Sequence, residues 1–185
     1  MRGKKNGGPY ACYDYTEVVN SSLRMFTKLT HVHISNCQNS KPGWLTEIGS
    51  LTVLKHLAIS SSFLLVGDME EISKSTTIET LLFDRNYFAT GVTGPTLALV
   101  GKICKLVHLE IHEPSRVFDN DAAGDAVITS LKQDCLRRLD FSGCIFSDHA
   151  FGLFCSQQQA NIEVLNISNC GGISDDGFYH LSSMH

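Results

Sequence analysis

Six copies of one short apolar pattern run down the chain: an apolar residue, two free positions, a second apolar residue, one free position, a third. They read Leu29-Thr-His-Val32-His-Ile34, Leu54-Lys-His-Leu57-Ala-Ile59, Ile78-Glu-Thr-Leu81-Leu-Phe83, Leu106-Val-His-Leu109-Glu-Ile111, Leu136-Arg-Arg-Leu139-Asp-Phe141 and Ile162-Glu-Val-Leu165-Asn-Ile167. Their first residues are spaced by 25, 24, 28, 30 and 26 positions. A unit of that size cannot bury its own apolar stripe, so units with this period must stack on one another. Side chains of a strand alternate between its faces. The second and third apolar residues, two apart, therefore share the inward side, and the residues flanking the second point outward together.

Helical signals fill the intervals. Trp44-Leu45-Ile48-Leu51, Met69-Ile72, Leu97-Val100-Ile103, Ala126-Val127-Leu131 and Ala150-Phe151-Phe154 carry the three-and-four spacing of a helix with one buried face. Ser147-Asp-His-Ala and Ser174-Asp-Asp-Gly supply the short acceptor and acids favoured at a helix start, and Pro42 and Pro95 suit a first turn. Val18, Val19 and Leu23 suggest the helix of a preceding unit between Tyr13 and Phe26. The expected architecture is an α/β solenoid, a horseshoe with a parallel sheet on the concave side and helices on the convex side. The repeats occupy residues 13–185, the first strand near 29–34 and the last near 162–167, after a flexible leader at 1–12.

Seven cysteines occur without any Cys-x-x-Cys pair. Cys37, Cys144 and Cys170 each stand three residues after the third apolar residue of their repeat, where Ser62, Asn86 and Pro114 stand in the other copies. One residue type recurring once per repeat is a stacking position for a small buried thiol. Reduced thiols imply an intracellular chain, cytoplasmic or nuclear, with an organelle matrix as the other compartment. Residues Leu165-Asn-Ile-Ser-Asn-Cys170-Gly-Gly-Ile173-Ser-Asp175-Asp-Gly177-Phe178, and less completely Leu139-Asp-Phe-Ser-Gly-Cys144-Ile-Phe-Ser-Asp148, resemble the cysteine-containing subclass of leucine-rich repeats. That resemblance implies a protein-binding horseshoe, best known as the substrate-recognition part of F-box ubiquitin ligase receptors. Related repeats serve as structural or assembly subunits of mitochondrial and axonemal complexes, which is the alternative. The Leu-Pro pair that opens an F-box does not occur in the sequence.

The outward columns hold the candidate site. His31, His56 and His108 share the position before the second apolar residue with Arg138; His33, Glu110 and Asp140 share the position after it. Strands about 4.8 Å apart make His31, His33 and His56 neighbours. These seven residues are the expected contacts of a protein partner on the concave face. Three imidazoles also have the right chemistry for zinc, but side chains splaying from a sheet do not converge on one ion. No metal or cofactor is expected.

Other functions find little support. A Gly-x-Ser-x-Gly elbow and a glycine-rich phosphate loop are both absent from the sequence, so it reads as a non-enzyme. Asp119-Asn-Asp-Ala-Ala-Gly-Asp125 has calcium-loop character, but Ser130 stands where the terminal Glu is required. A net charge of −4, with basic residues clustered only at Arg137-Arg138 and in the leader, argues against nucleic acid. No apolar run approaches the roughly 20 residues that span a bilayer, so no membrane insertion is expected. The last helix begins at Ser174 and no further repeat follows it in the sequence. The C-terminal sheet edge is thus a possible end-on contact.

Overall fold

The computed structural model describes residues 23, 25–37, 43–89, 91–112, 121–131, 134–157 and 161–184. The proposed leader, Pro42, Pro114, Asp119 and nearly all of the proposed first helix lie outside the described residues. Eight strands are present among those described: β1 (His31–Ser35), β2 (His56–Ser60), β3 (Phe63–Leu64), β4 (Thr80–Asp84), β5 (Tyr87–Phe88), β6 (His108–His112), β7 (Arg138–Asp140) and β8 (Val164–Asn166). Six of them form one all-parallel sheet in the order β1-β2-β4-β6-β7-β8, and β3 pairs with β5 in a second small parallel sheet. The register matches the repeat frame residue for residue: Val32 pairs with Leu57, Leu57 with Leu81, Leu81 with Leu109, Leu109 with Leu139 and Leu139 with Leu165.

The inward face follows from alternation. Leu57, Ile59, Leu81, Phe83, Leu109, Ile111, Leu139 and Phe141 are all buried, whereas Val32, Ile34, Leu165 and Ile167 on the two outer strands are half-buried. Four helices cover this side: α1 (Val66–Ser73), α2 (Gly94–Leu97, continued by a 3-10 turn to Lys102), α3 (Asp121–Ser130) and α4 (Asp148–Gln157). A fifth, α5 (Asp175–Tyr179), follows β8. Ser174 caps α5 by accepting from the Asp176 amide, and Pro95 lies in the first turn of α2, as the sequence signals imply. The stretch from Trp44 to Leu51 corrects the sequence expectation. It is a run of turns ending in a 3-10 helix at Ile48–Ser50, although Trp44, Leu45 and Ile48 are fully buried. Its apolar spacing thus serves packing without a regular helix.

The turn after each strand explains the cysteine column. The residue two places past the third apolar position is left-handed in every described copy: Asn36, Ser61, Arg85, Gly143 and Asn169 have φ between 48° and 79°. That reversal brings the next residue inward, where its side chain meets the preceding repeat. Cys144 Sγ lies 3.5 Å from the Ile111 carbonyl, Cys170 Sγ 3.0 Å from that of Phe141, and Asn86 Nδ2 donates to that of Ile59 at 2.7 Å. Asn86 Oδ1 in turn accepts from the Ser62 amide, and Ser62 Oγ accepts from the Cys37 amide. Cysteine, serine and asparagine therefore do one job: they satisfy backbone groups that a strand-to-turn corner leaves buried. Burial raises the thiols of Cys37 and Cys144, and pushes that of Cys170 up to about 11, which suits packing rather than reactivity.

Serines at helix starts tie neighbouring repeats. Ser147 donates its amide and hydroxyl to Asp125 at 2.7 Å each, and Ser174 does the same to Asp148 at 2.8 and 2.5 Å. Hydrogen bonds from Ser174 hold the Asp148 carboxyl below the usual range. Asp125, at the end of the calcium-like segment, is thus engaged in stacking. Close approach of repeats also explains Gly124 in α3: a Cβ there would lie 1.9 Å from the Ile145 carbonyl oxygen. Among the described residues no helix is long and apolar enough to cross a membrane.

Candidate functional site

Three outward residues on each of β1, β2, β4 and β6, and two on β7 and β8, build the face that the helices leave uncovered. Register places His31 beside His56, then Thr80, His108, Arg138 and Val164. The second column runs His33, Ala58, Leu82, Glu110, Asp140, Asn166. A third holds Ser35, Ser60, Asp84 and His112. All are exposed or half-buried, in contrast to the buried positions between them in the central strands.

The sheet brings the proposed site residues together as two groups. On β1 and β2 the rings of His31 and His56 stack with centroids 4.1 Å apart and planes 16° from parallel. The Thr30 hydroxyl lies 2.9 Å from His31 Nδ1, and the Ser60 hydroxyl 3.2 Å from His33 Nε2. Burial, then the adjacent His31 ring, holds the His56 imidazole below its ordinary pKa.

The second group spans β6 to β8. His108 Nε2 is 2.6 Å from Glu110 Oε1, and His112 Nε2 is 3.1 Å from Asp140 Oδ1. The approach of His112 to Asp140 lacks hydrogen-bond alignment, so the buried Nε2 is held by proximity to two carboxylates, Glu110 being the other at 3.8 Å. Asn166 Nδ2 donates to Asp140 Oδ2 at 2.7 Å and the Ser142 amide to Asp140 Oδ1 at 2.9 Å. Burial on its own raises the Asp140 carboxyl. The amide of Ser142, then Asn166 and the Ser142 hydroxyl, outweigh it and leave the group below the usual carboxylate range. Arg138 is exposed on β7, outside both groups.

His112, Asp84, Ser60 and Asn166 complete the face although the motif-based reading did not select them. The signal for His112 is present in the sequence: His108-Leu-Glu-Ile-His112 alternates through a fifth residue, one beyond the apolar motif. Polar side chains also converge more than expected of a sheet, because Glu110 and Asp140 are register partners. Even so, no group of three or more His, Cys, Asp or Glu side chains among the described residues is arranged to hold a metal ion. The face instead carries imidazoles, one exposed guanidinium and internally held carboxylates.

No family model and no curated protein matches this sequence. Among solved structures, the chain is similar in fold to the crystal structure of an internalin from Listeria monocytogenes, a leucine-rich-repeat protein. The TM-score is 0.53 at 17% identity, over 93% of this chain and 49% of that one. The chain thus spans about half the length of the structure that it matches. At that identity the likeness supports a leucine-rich-repeat-like fold with its six-stranded parallel sheet.

Proposed function

We propose that this chain is a protein-interaction module that binds its partner on the outward face of the six-stranded sheet. The observation that carries this reading is the layout of that face. Its centre is Ala58 and Leu82, half-buried and apolar, with imidazoles on one side and charged groups on the other. An apolar centre with a polar surround is the usual composition of a protein interface. The inward columns carry stability, which leaves the outward columns available for recognition.

Within that class, the finer reading is substrate recognition in a ubiquitin ligase, supported by the cysteine-bearing repeats that resemble those receptors. A structural or assembly role is supported by the other end of the stack. There Val164, Phe178 and Tyr179 are exposed, and Leu165 and Ile167 only half-buried, which suits an end-on contact.

Affinity purification with the parent chain and a Leu82→Arg variant tests the reading. A long charged side chain at the centre of the face should abolish capture of specific proteins while thermal unfolding changes little. Unchanged capture by a folded Leu82→Arg protein would overturn the proposal. Ligase adaptor and cullin subunits among the captured proteins support the first finer role; organelle-complex subunits support the second.

A further inference from the structure

The outward face is divided by how its charged and titratable groups are satisfied. On β4 to β8 every carboxylate has a partner within the protein. Asp84 lies 3.2 Å from Arg85, Glu110 lies 2.6 Å from His108, and Asp140 is held by Asn166 and the Ser142 amide. On β1 and β2 the face carries His31, His33 and His56 and no carboxylate at all. Their polar contacts among the described residues are two hydroxyls, those of Thr30 and Ser60. Asp84, Glu110 and Asp140 are acids already answered; the three imidazoles are bases without an acid.

The surroundings of these imidazoles are accounted for. The carboxylate bearing on His56 is Glu79, which is committed to Lys55 at 2.8 Å. Its carboxyl is held below the usual range first by that lysine. Lys55 itself and His108, two strands away, add positive influence on His56 when charged, as does His31. Two imidazoles stacked at 4.1 Å repel each other if both are protonated, the more so in a low dielectric. An anion placed against the pair removes that repulsion, so anion binding and proton uptake reinforce one another.

Building on the interaction-module reading, we propose that the β1–β2 end of the face is a docking patch for a short acidic segment of a partner protein, taken up together with protons on His31, His33 and His56. The length of the segment follows from the layout. A continuous polyanion crossing the sheet would meet Asp84, Glu110 and Asp140 one, two and three strands beyond β2, at about 4.8 Å per strand. A few carboxylates confined to β1 and β2 would not. The columns there hold no aromatic ring besides imidazole and no lysine or arginine, which disfavours a nucleic acid. The chain as a whole carries −4, so at neutral pH general electrostatics oppose an acidic ligand and the local patch must supply the attraction.

The test uses the full chain and a fluorescein-labelled hexaglutamate peptide, with binding read by anisotropy at pH 7.5 and 5.5 at one fixed salt concentration. Affinity should rise by roughly ten-fold or more on acidification, since each proton taken up contributes up to about ten-fold per pH unit. The double variant His31→Gln, His56→Gln should lose that rise. His149→Gln, His180→Gln, which removes the same charge from the helical side, should keep it. Equal loss in both variants would show general charge attraction and overturn the proposal, as would affinity independent of pH. If circular dichroism shows the first variant unfolded, the parent decides: imidazole Cε1–H resonances of His31 and His56 must shift with peptide while those of His149 stay. Resonances shifting together, or none shifting, would refute it. Specific capture that Leu82→Arg abolishes, beside a patch that ignores the peptide, sinks this inference alone. Peptide binding at the patch with capture indifferent to Leu82→Arg sinks the module reading alone.

Discussion

Replacing Asn86 by alanine should cost roughly 3–5 kcal/mol, because two buried backbone groups lose their partners at once. Asn86 is 1% exposed, its Oδ1 accepting from the Ser62 amide at 3.0 Å and its Nδ2 donating to the Ile59 carbonyl at 2.7 Å. Stranding a buried donor or acceptor costs about 1–3 kcal/mol each, and the vacated volume adds to this. Against a total stability on the order of 5–15 kcal/mol, such a loss is large. Cysteine at the same position is a sharper probe. Cys144 and Cys170 approach the equivalent carbonyls at 3.5 and 3.0 Å, so Asn86→Cys should keep a weak donor to Ile59 and lose only the acceptor for Ser62. It should then be more stable than Asn86→Ala by about 1 kcal/mol or more. Asn86→Asp offers only acceptors and sets a carboxylate against the Ile59 carbonyl, so it should be no better than alanine. Urea unfolding followed by circular dichroism, with the slope checked for constancy, gives the order. Alanine and cysteine variants of equal stability would refute the equivalence of this column across repeats. An alanine variant within about 0.5 kcal/mol of the parent would refute the backbone-satisfaction account altogether.

Two further outcomes test the frame and the interior. Leu109→Ala should cost about 2–5 kcal/mol through lost burial and a residual cavity, while His108→Ala, one residue away on the open face, should cost less than about 1 kcal/mol; equal losses in urea melts would show that the inward and outward positions are misassigned. Asp68 is fully buried, accepts from Trp44 Nε1 at 2.8 Å and from the Leu65 amide at 2.9 Å, and burial pushes its carboxyl up to about 6. The folded state therefore holds its proton between the unfolded value near 4 and about 6, so this group's contribution to stability falls as pH rises through that window. Asp68→Asn removes that loss, and the stability difference between variant and parent should move in the variant's favour from pH 4 to pH 6.5; a difference flat in pH would contradict the raised carboxyl.

How much of this was legible in the sequence depends on which force fixes each feature. The strand register was readable because alternation and stacking both demand the same apolar columns, so Leu57, Leu81, Leu109 and Leu139 had one consistent placement. The region from Trp44 to Leu51 was not, since apolar spacing alone cannot separate a helix from a turn-rich segment that buries the same residues. The cysteine column was visible as a recurrence, yet its chemical role was hidden. Nothing in Asn86 announces kinship with Cys144 until the backbone shows both meeting the carbonyl of the third apolar residue of the preceding repeat, and Ser62 satisfies a different backbone group, the Cys37 amide. His112 was missed because the motif ends at Ile111 while the strand does not. The adjacency of His31 and His56, and of Asp140 and Asn166, followed from register, whereas the diagonal approach of His112 to Asp140 depended on side-chain reach that spacing does not encode.

On the proposed reading, the division between the two sides of the sheet lets stability and recognition be set separately. Inward positions are fixed by packing against neighbouring repeats and the helices, so a change there alters the whole stack. Outward positions interact mainly with one another, along a strand or across to the next, as between Glu110 and His108 or Asp140 and Asn166. A partner approaching β6 to β8 must displace contacts that already satisfy those groups, which costs desolvation for little gain. A partner approaching β1 and β2 displaces water from imidazoles whose contacts are two hydroxyls among the described residues. Binding there forms interactions without first breaking stronger ones. Recognition should therefore concentrate at the β1–β2 end and around Leu82, and weaken toward Asp140.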